Sequence, residues 1–120
     1  MDNVVNIKNV PKRPGLKIAK KLMDQHVLGP KDSHHRIAGA ERLSIIVQTY
    51  SPGGSHDAHS HPDTEQAFLV LSGKGQMHIE GKVYDIEKGS VAYAPRNVNH
   101  CTVNTGDEDL VMMLIGVTLN

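Results

Sequence analysis

The chain has no tryptophan, one phenylalanine, three tyrosines and a single cysteine in 120 residues. A lone cysteine, Cys101, cannot form an intramolecular disulfide or build a Cys-rich zinc site, and this suits a reducing compartment. Few aromatics leave few stacking platforms for flat rings or carbohydrates, so small polar ligands fit better. The 13 basic and 13 acidic residues cancel, which removes the usual electrostatic argument for a nucleic-acid partner. Residues 1–13 lack the apolar centre of a signal peptide, and the longest apolar stretch, Val111 to Leu119, falls far short of the ~20 residues that span a bilayer. The expectation is one cytoplasmic domain with neither a membrane nor a nucleic-acid partner.

The unusual enrichment is in histidine. Eight histidines stand in a chain poor in other rings, and imidazole is the commonest metal ligand and the side chain titrating nearest neutrality. Charge divides along the chain. Residues 1–50 hold nine basic and four acidic residues, and residues 51–120 hold four basic and nine acidic. The basic run from Lys8 to Lys21 reads as a solvated face.

Leu16, Ala19, Leu22, Met23 and Val27 recur near helical spacing after the Pro14-Gly15 turn and stop at Gly29-Pro30, which predicts a short amphipathic helix. Ile18 and Leu28 also fit a strand. From Leu43 the texture changes to short apolar runs: Leu43 to Tyr50, Ala67 to Leu71, Gln76 to Ile79, Val83 to Ile86, Val91 to Ala94, Cys101 to Val103 and Leu110 to Leu119. Turn residues separate them, with the clearest hairpin at Glu80-Gly81-Lys82. Such spacing predicts an all-β sandwich or barrel. No βαβ alternation is present, and Gly73-Lys74-Gly75 lacks the third glycine and the helix of a dinucleotide fingerprint.

His59-Ser60-His61 is the centre of the functional reading. Residues two apart on a strand share a face, so both imidazoles can converge on one ion, while Pro62 disfavours a helix. Downstream lie Glu65-Gln66, opening an apolar strand, and His100 between Pro95 and Asn104.

With Gly53, His59, His61, Gln66 and Gly73, followed by Gly89, Pro95, Asn97, His100 and Asn104, the chain resembles the cupin superfamily over about Ile45 to Gly116. One position departs: Asn97 stands where the family has glycine, and asparagine is the best replacement at positive φ. The resemblance implies an all-β, cupin-type double-stranded β-helix, a jelly-roll barrel over residues 43–120. Residues 1–42 would form an N-terminal extension, packing on the barrel or across a dimer.

It further implies one divalent transition metal ion held by His59, His61, Gln66 and His100. Counting six residues back from Gly73 selects Gln66, with Glu65 as the alternative; adjacent strand residues face opposite sides, so only one enters. Nitrogen and oxygen donors without thiolate suit Mn, Fe, Ni, Co or Zn. By alternation Cys101 faces away from the ion, as core or interface. His56 reads as an exposed loop histidine that could alternatively serve at the mouth, and His78 as outward-facing. No role is assigned to His34, His35 or Tyr50.

A six-coordinate ion with four protein ligands would leave two positions for a small oxygenated molecule. The function expected from the resemblance is an enzyme acting on a keto or hydroxy acid, enediol or sugar derivative by enolate chemistry, of isomerase, lyase or decarboxylase type. The alternatives are a non-catalytic binding or sensory cupin and an iron-dependent dioxygenase. No general base is assigned. Cover for the sheet by the C-terminal run and the N-terminal segment across a two-fold axis would make a homodimer.

Overall fold

The structure, a computed structural model, describes residues 3–31 and 33–119. Apart from a 3-10 turn at Ile7–Asn9, its regular elements are strands: β1 (Arg13–Pro14), β2 (Ala19–Gly29), β3 (Ile37–Ala38), β4 (Leu43–His56), β5 (Thr64–Ser72), β6 (Lys74–Ile79), β7 (Lys82–Glu87), β8 (Val91–Ala94), β9 (His100–Val103) and β10 (Leu110–Thr118). No helix among the described residues is long and apolar enough to cross a membrane. All seven apolar runs predicted as strands are strands.

One curled sheet runs β7-β6-β9-β4-β10-β5-β8, with β2 added alongside β4. The long strand β4 serves both layers of the roll. Its first half pairs with β10, from Leu43 opposite Val117 to Tyr50 opposite Leu110, and near its end Ser55 pairs with Val103 of β9. Between these segments the chain bends at Gly53, where φ is 80°. The Glu80-Gly81 turn joins Ile79 to Lys82 with positive φ at both residues, the geometry that matches the twist of a two-residue hairpin.

Two apolar clusters hold the roll. Tyr50, Phe68, Val70, Met77, Leu110 and Met112 pack between the layers, and Leu22 joins them from β2. On the outer face Val10, Val27 and Val47 pack with Val5, Ile7, Ile45, Val111 and Met113. The apolar C-terminal run is therefore an internal strand, and the chain's own N-terminal segment covers its outer face.

The helix expected over residues 16–27 is corrected to the strand β2. Both faces of this strand are covered, the inner by the roll at Leu22 and the outer by the N-terminal segment at Val27. Apolar residues at both parities imitate a 3.6-residue period. A bulge deepens the imitation: the β2–β4 register shifts at Lys21, which sits at φ 52°.

Candidate metal centre

His59 and His100 are joined backbone to backbone. The His59 N–H donates to the His100 carbonyl at 3.1 Å, and the His100 N–H donates to the His59 carbonyl at 2.9 Å. Two residues on, the Asn97 N–H donates to the His61 carbonyl at 2.8 Å. Asn97 makes this contact at φ 66°, the left-handed conformation that its side chain tolerates better than most. Asn104 performs the matching task at the far end of β9. Its Nδ2 donates to the carbonyls of Tyr50 and Glu108, both at 2.8 Å, and its Oδ1 accepts from the Gly106 N–H at 2.9 Å.

This stitching gathers three imidazoles. The rings of His59 and His61 lie 4.7 Å apart, those of His59 and His100 4.6 Å, and those of His61 and His100 5.6 Å. One nitrogen from each falls within 4.8 Å of the others. His59 Nδ1 lies 3.1 Å from the Asp57 carbonyl and His100 Nδ1 3.1 Å from the Val98 carbonyl. A carbonyl only accepts, so Nδ1 carries the proton in both rings, and in the neutral imidazole Nε2 keeps its lone pair. Burial first, then the neighbouring imidazoles, push His100 down to about 4, and the same causes lower His61. Near neutral pH both rings are therefore uncharged, the state a metal ligand needs.

Gln66 and Glu65 part as strand alternation requires. Gln66 lines the cavity with the three histidines, and its Oε1 is buried without a hydrogen-bond partner. Glu65 turns to the other face, where the Tyr93 hydroxyl donates to it at 3.2 Å. Three imidazole nitrogens with a buried, unpaired amide oxygen form a donor set that fits a borderline divalent ion.

The cavity measures about 200 Å³. Its apolar wall includes Ile18, Leu22, Ile46, Phe68 and Leu114, and no lysine or arginine is among its described lining residues. His56 also lines it, which corrects the exposed-loop reading: the ring is buried at the end of β4, 4.8 Å from the His59 ring, and its Nδ1 lies 2.9 Å from the Asp57 carbonyl. Burial lowers His56 too. The sequence reading placed His56 in a glycine-rich loop, whereas β4 runs through the glycines to His56.

Three polar lining residues, Asp24, His26 and Gln48, were not anticipated. The strand alternative for β2, already visible in Ile18 and Leu28, would have placed Leu22, Asp24 and His26 on one face. His78, Cys101, His34, His35 and Tyr50 do not line this cavity. Tyr50 is core, Cys101 is half-buried with its thiol pushed up by burial, and His35 packs edge-on against His26 at 5.1 Å.

Residues 46–116, more than half of the chain, match the family described as Cupin domain. The chain belongs to the cupin family. Among curated cupin relatives, the oxalate decarboxylase OxdC of Bacillus subtilis is 32% identical over 81 residues, covering 63% of this chain and 21% of that protein. Auxin-binding protein 1 of Arabidopsis thaliana is 32% identical over 118 residues, covering 84% of this chain and 59% of that one. This cupin thus spans less than two thirds of either relative, about a fifth of the first and 59% of the second. A crystal structure of a Thermotoga maritima protein, named a predicted oxalate decarboxylase, superposes with TM-score 0.79 at 20% identity over 97% of this chain and 99% of that one, a likeness of fold.

Proposed function

We propose that this cupin is a metal-dependent enzyme acting on a small oxygenated molecule, with His59, His61, Gln66 and His100 holding one divalent ion of Mn, Fe, Ni, Co or Zn. The observation that carries the reading is the buried, unpaired Gln66 Oε1 in one cavity with three convergent imidazoles. When bound, such an ion supplies Lewis acidity, polarising a carbonyl and stabilising the negative charge left by loss of a proton or carboxyl group. The reaction class is isomerase, lyase or decarboxylase; the decarboxylase among the relatives supports the last.

The chain's own contribution is orientation and exclusion of water. The Asp57 and Val98 carbonyls fix the His59 and His100 rings by their Nδ1 atoms, so Nε2 is presented without a conformational search. The apolar wall strengthens every electrostatic contact within it. His56, buried and held neutral, adds an imidazole beside the three.

Elemental analysis of protein purified without a His-tag or chelator tests this directly. The expected result is near-stoichiometric transition metal in wild type and none in His59→Ala or His100→Ala, both still folded by circular dichroism. Gln66→Ala should weaken metal retention more than Glu65→Ala, and the reverse order would hand the position to Glu65. Metal content unchanged in both histidine variants would overturn the assignment.

A second reading has its own support. Auxin-binding protein 1 is by name a binder, and its match covers most of this chain. A metal-loaded protein that binds small α-hydroxy acids and turns none over would be a binding module. Finding iron would favour a dioxygenase instead. The cytoplasmic setting is our inference from cysteine usage alone.

A further inference from the structure

Asp24 and Gln48 stand opposite each other on β2 and β4 and both enter the cavity. Asp24 is only 7% exposed, and its Oδ1 has no hydrogen-bond partner. The Tyr50 hydroxyl donates to Gln48 Oε1 at 3.3 Å, which leaves the Gln48 amide N–H to hold the Asp24 carboxyl. β4 and β10 lie between β2 and β5, so Asp24 and Gln66 enter from strands about 14 Å apart along the sheet. Burial raises Asp24 from its ordinary value, against the smaller opposing effects of His26 and Gln48. A carboxyl oxygen so placed accepts a hydrogen bond from a ligand hydroxyl, and when protonated the group can donate one as well.

We propose that Asp24, held by Gln48, is the specificity-determining group of the cavity: it recognises a neutral hydroxyl or carbonyl on the ligand, away from the metal-seeking head. Two features combine. An unpaired buried oxygen is costly until a ligand group meets it, so a hydroxyl that pairs with Asp24 is rewarded over a methyl. The described lining offers no lysine or arginine, so a second carboxylate or a phosphate would be buried without a fixed cationic side chain. The substrate class is a compact molecule with one anionic chelating end and one neutral polar end, rather than a dicarboxylate or a phosphorylated sugar.

The proposal rests on the metal reading for the chelating end, and the test separates the two. Lactate, D-glycerate and malate share an α-hydroxy acid head and differ in the group attached to it: a methyl, a neutral hydroxymethyl group or a second charged carboxylate on a methylene. Their affinities are measured by calorimetry on Mn²⁺-loaded protein at neutral pH, with metal content determined on the same samples. Wild type should bind glycerate about tenfold tighter than lactate or malate. Asp24→Leu should bring glycerate to the level of lactate, while Asp24→Asn, which keeps the shape and a donor, should restore the preference to within about threefold of wild type. Gln48→Met, which removes the group holding Asp24, should reduce it and stands in if Asp24→Leu does not fold.

Equal binding of lactate and glycerate by wild type, tighter binding of malate, a preference that survives Asp24→Leu, or no binding of any of the three at millimolar concentration would overturn the proposal. Protein that takes up no Mn²⁺ overturns the metal reading instead. The Asp24 carboxyl carbon resonance then decides: in metal-free protein a shift with glycerate and none with lactate supports the role of Asp24, and any other pattern overturns it.

Discussion

Asn104 shows how a single side chain can hold a site it never enters. It closes three hydrogen bonds from a fully buried position, tying β4 to the turn before β10 just beyond the strand that carries His100. Asn104→Ala should cost about 2–4 kcal/mol, because the buried Tyr50 carbonyl loses its partner and the part-buried bonds to Glu108 and Gly106 go with it; chemical denaturation measures this. His100 gives a pH prediction. Its folded value of about 4 lies below the ordinary 6.5, so between those values the unfolded chain binds a proton that the folded chain refuses. Stability from this group is fully present above about pH 6.5 and is lost as pH falls towards about 4, by at most about 3 kcal/mol. Urea titrations of metal-free protein at pH 7.5 and 4.5 should show the loss, with a shallower dependence in His100→Gln. The four positions proposed as ligands were readable in the sequence because their spacing is local to two short segments. His56 was not, because its burial depends on how far β4 continues past Gly53.

At the scale of elements, β2 separates what periodicity can say from what it cannot. An amphipathic strand covered on one face alternates cleanly, but β2 is covered on both, so its apolar residues fall at both parities. The outer cover is held by Gln25, whose Nε2 donates to the carbonyls of Ile7 and Val10, both at 2.9 Å. Gln25→Ala should cost about 1–3 kcal/mol and free the segment around Ile7 and Val10. Limited proteolysis should then cleave ahead of β1 in the variant and leave wild type intact. Losing the parity of β2 also hid Asp24 and His26, since neither could be assigned to the cavity face until the element was known to extend.

For the whole molecule, the ends of the curled sheet are β7 and β8. They bring together an apolar surface on which Val91 is 71%, Tyr93 55% and Tyr84 46% exposed, around a shallow hollow. Edge strands with apolar cover invite pairing, so we expect a homodimer through this surface. Light scattering at micromolar concentration should give twice the chain mass, falling to the monomer in Val91→Glu. A monomeric wild type would remove the expectation. The sequence by itself determined the all-β roll from Leu43 onward, the order of its seven strands along the chain and the family, since alternation, turn residues and fixed spacings are local properties that survive without coordinates. It also pointed to Gln66 rather than Glu65 as the inward residue, by the count back from Gly73, since alternation along a strand lets only one of the two enter. Only the tertiary structure decided that β2 lies against β4, that His56 is buried, and that Asp24 and Gln48 share a cavity with the three histidines. Those facts arise from strands distant in sequence meeting across the roll, and no local pattern records which residues a curled sheet brings face to face.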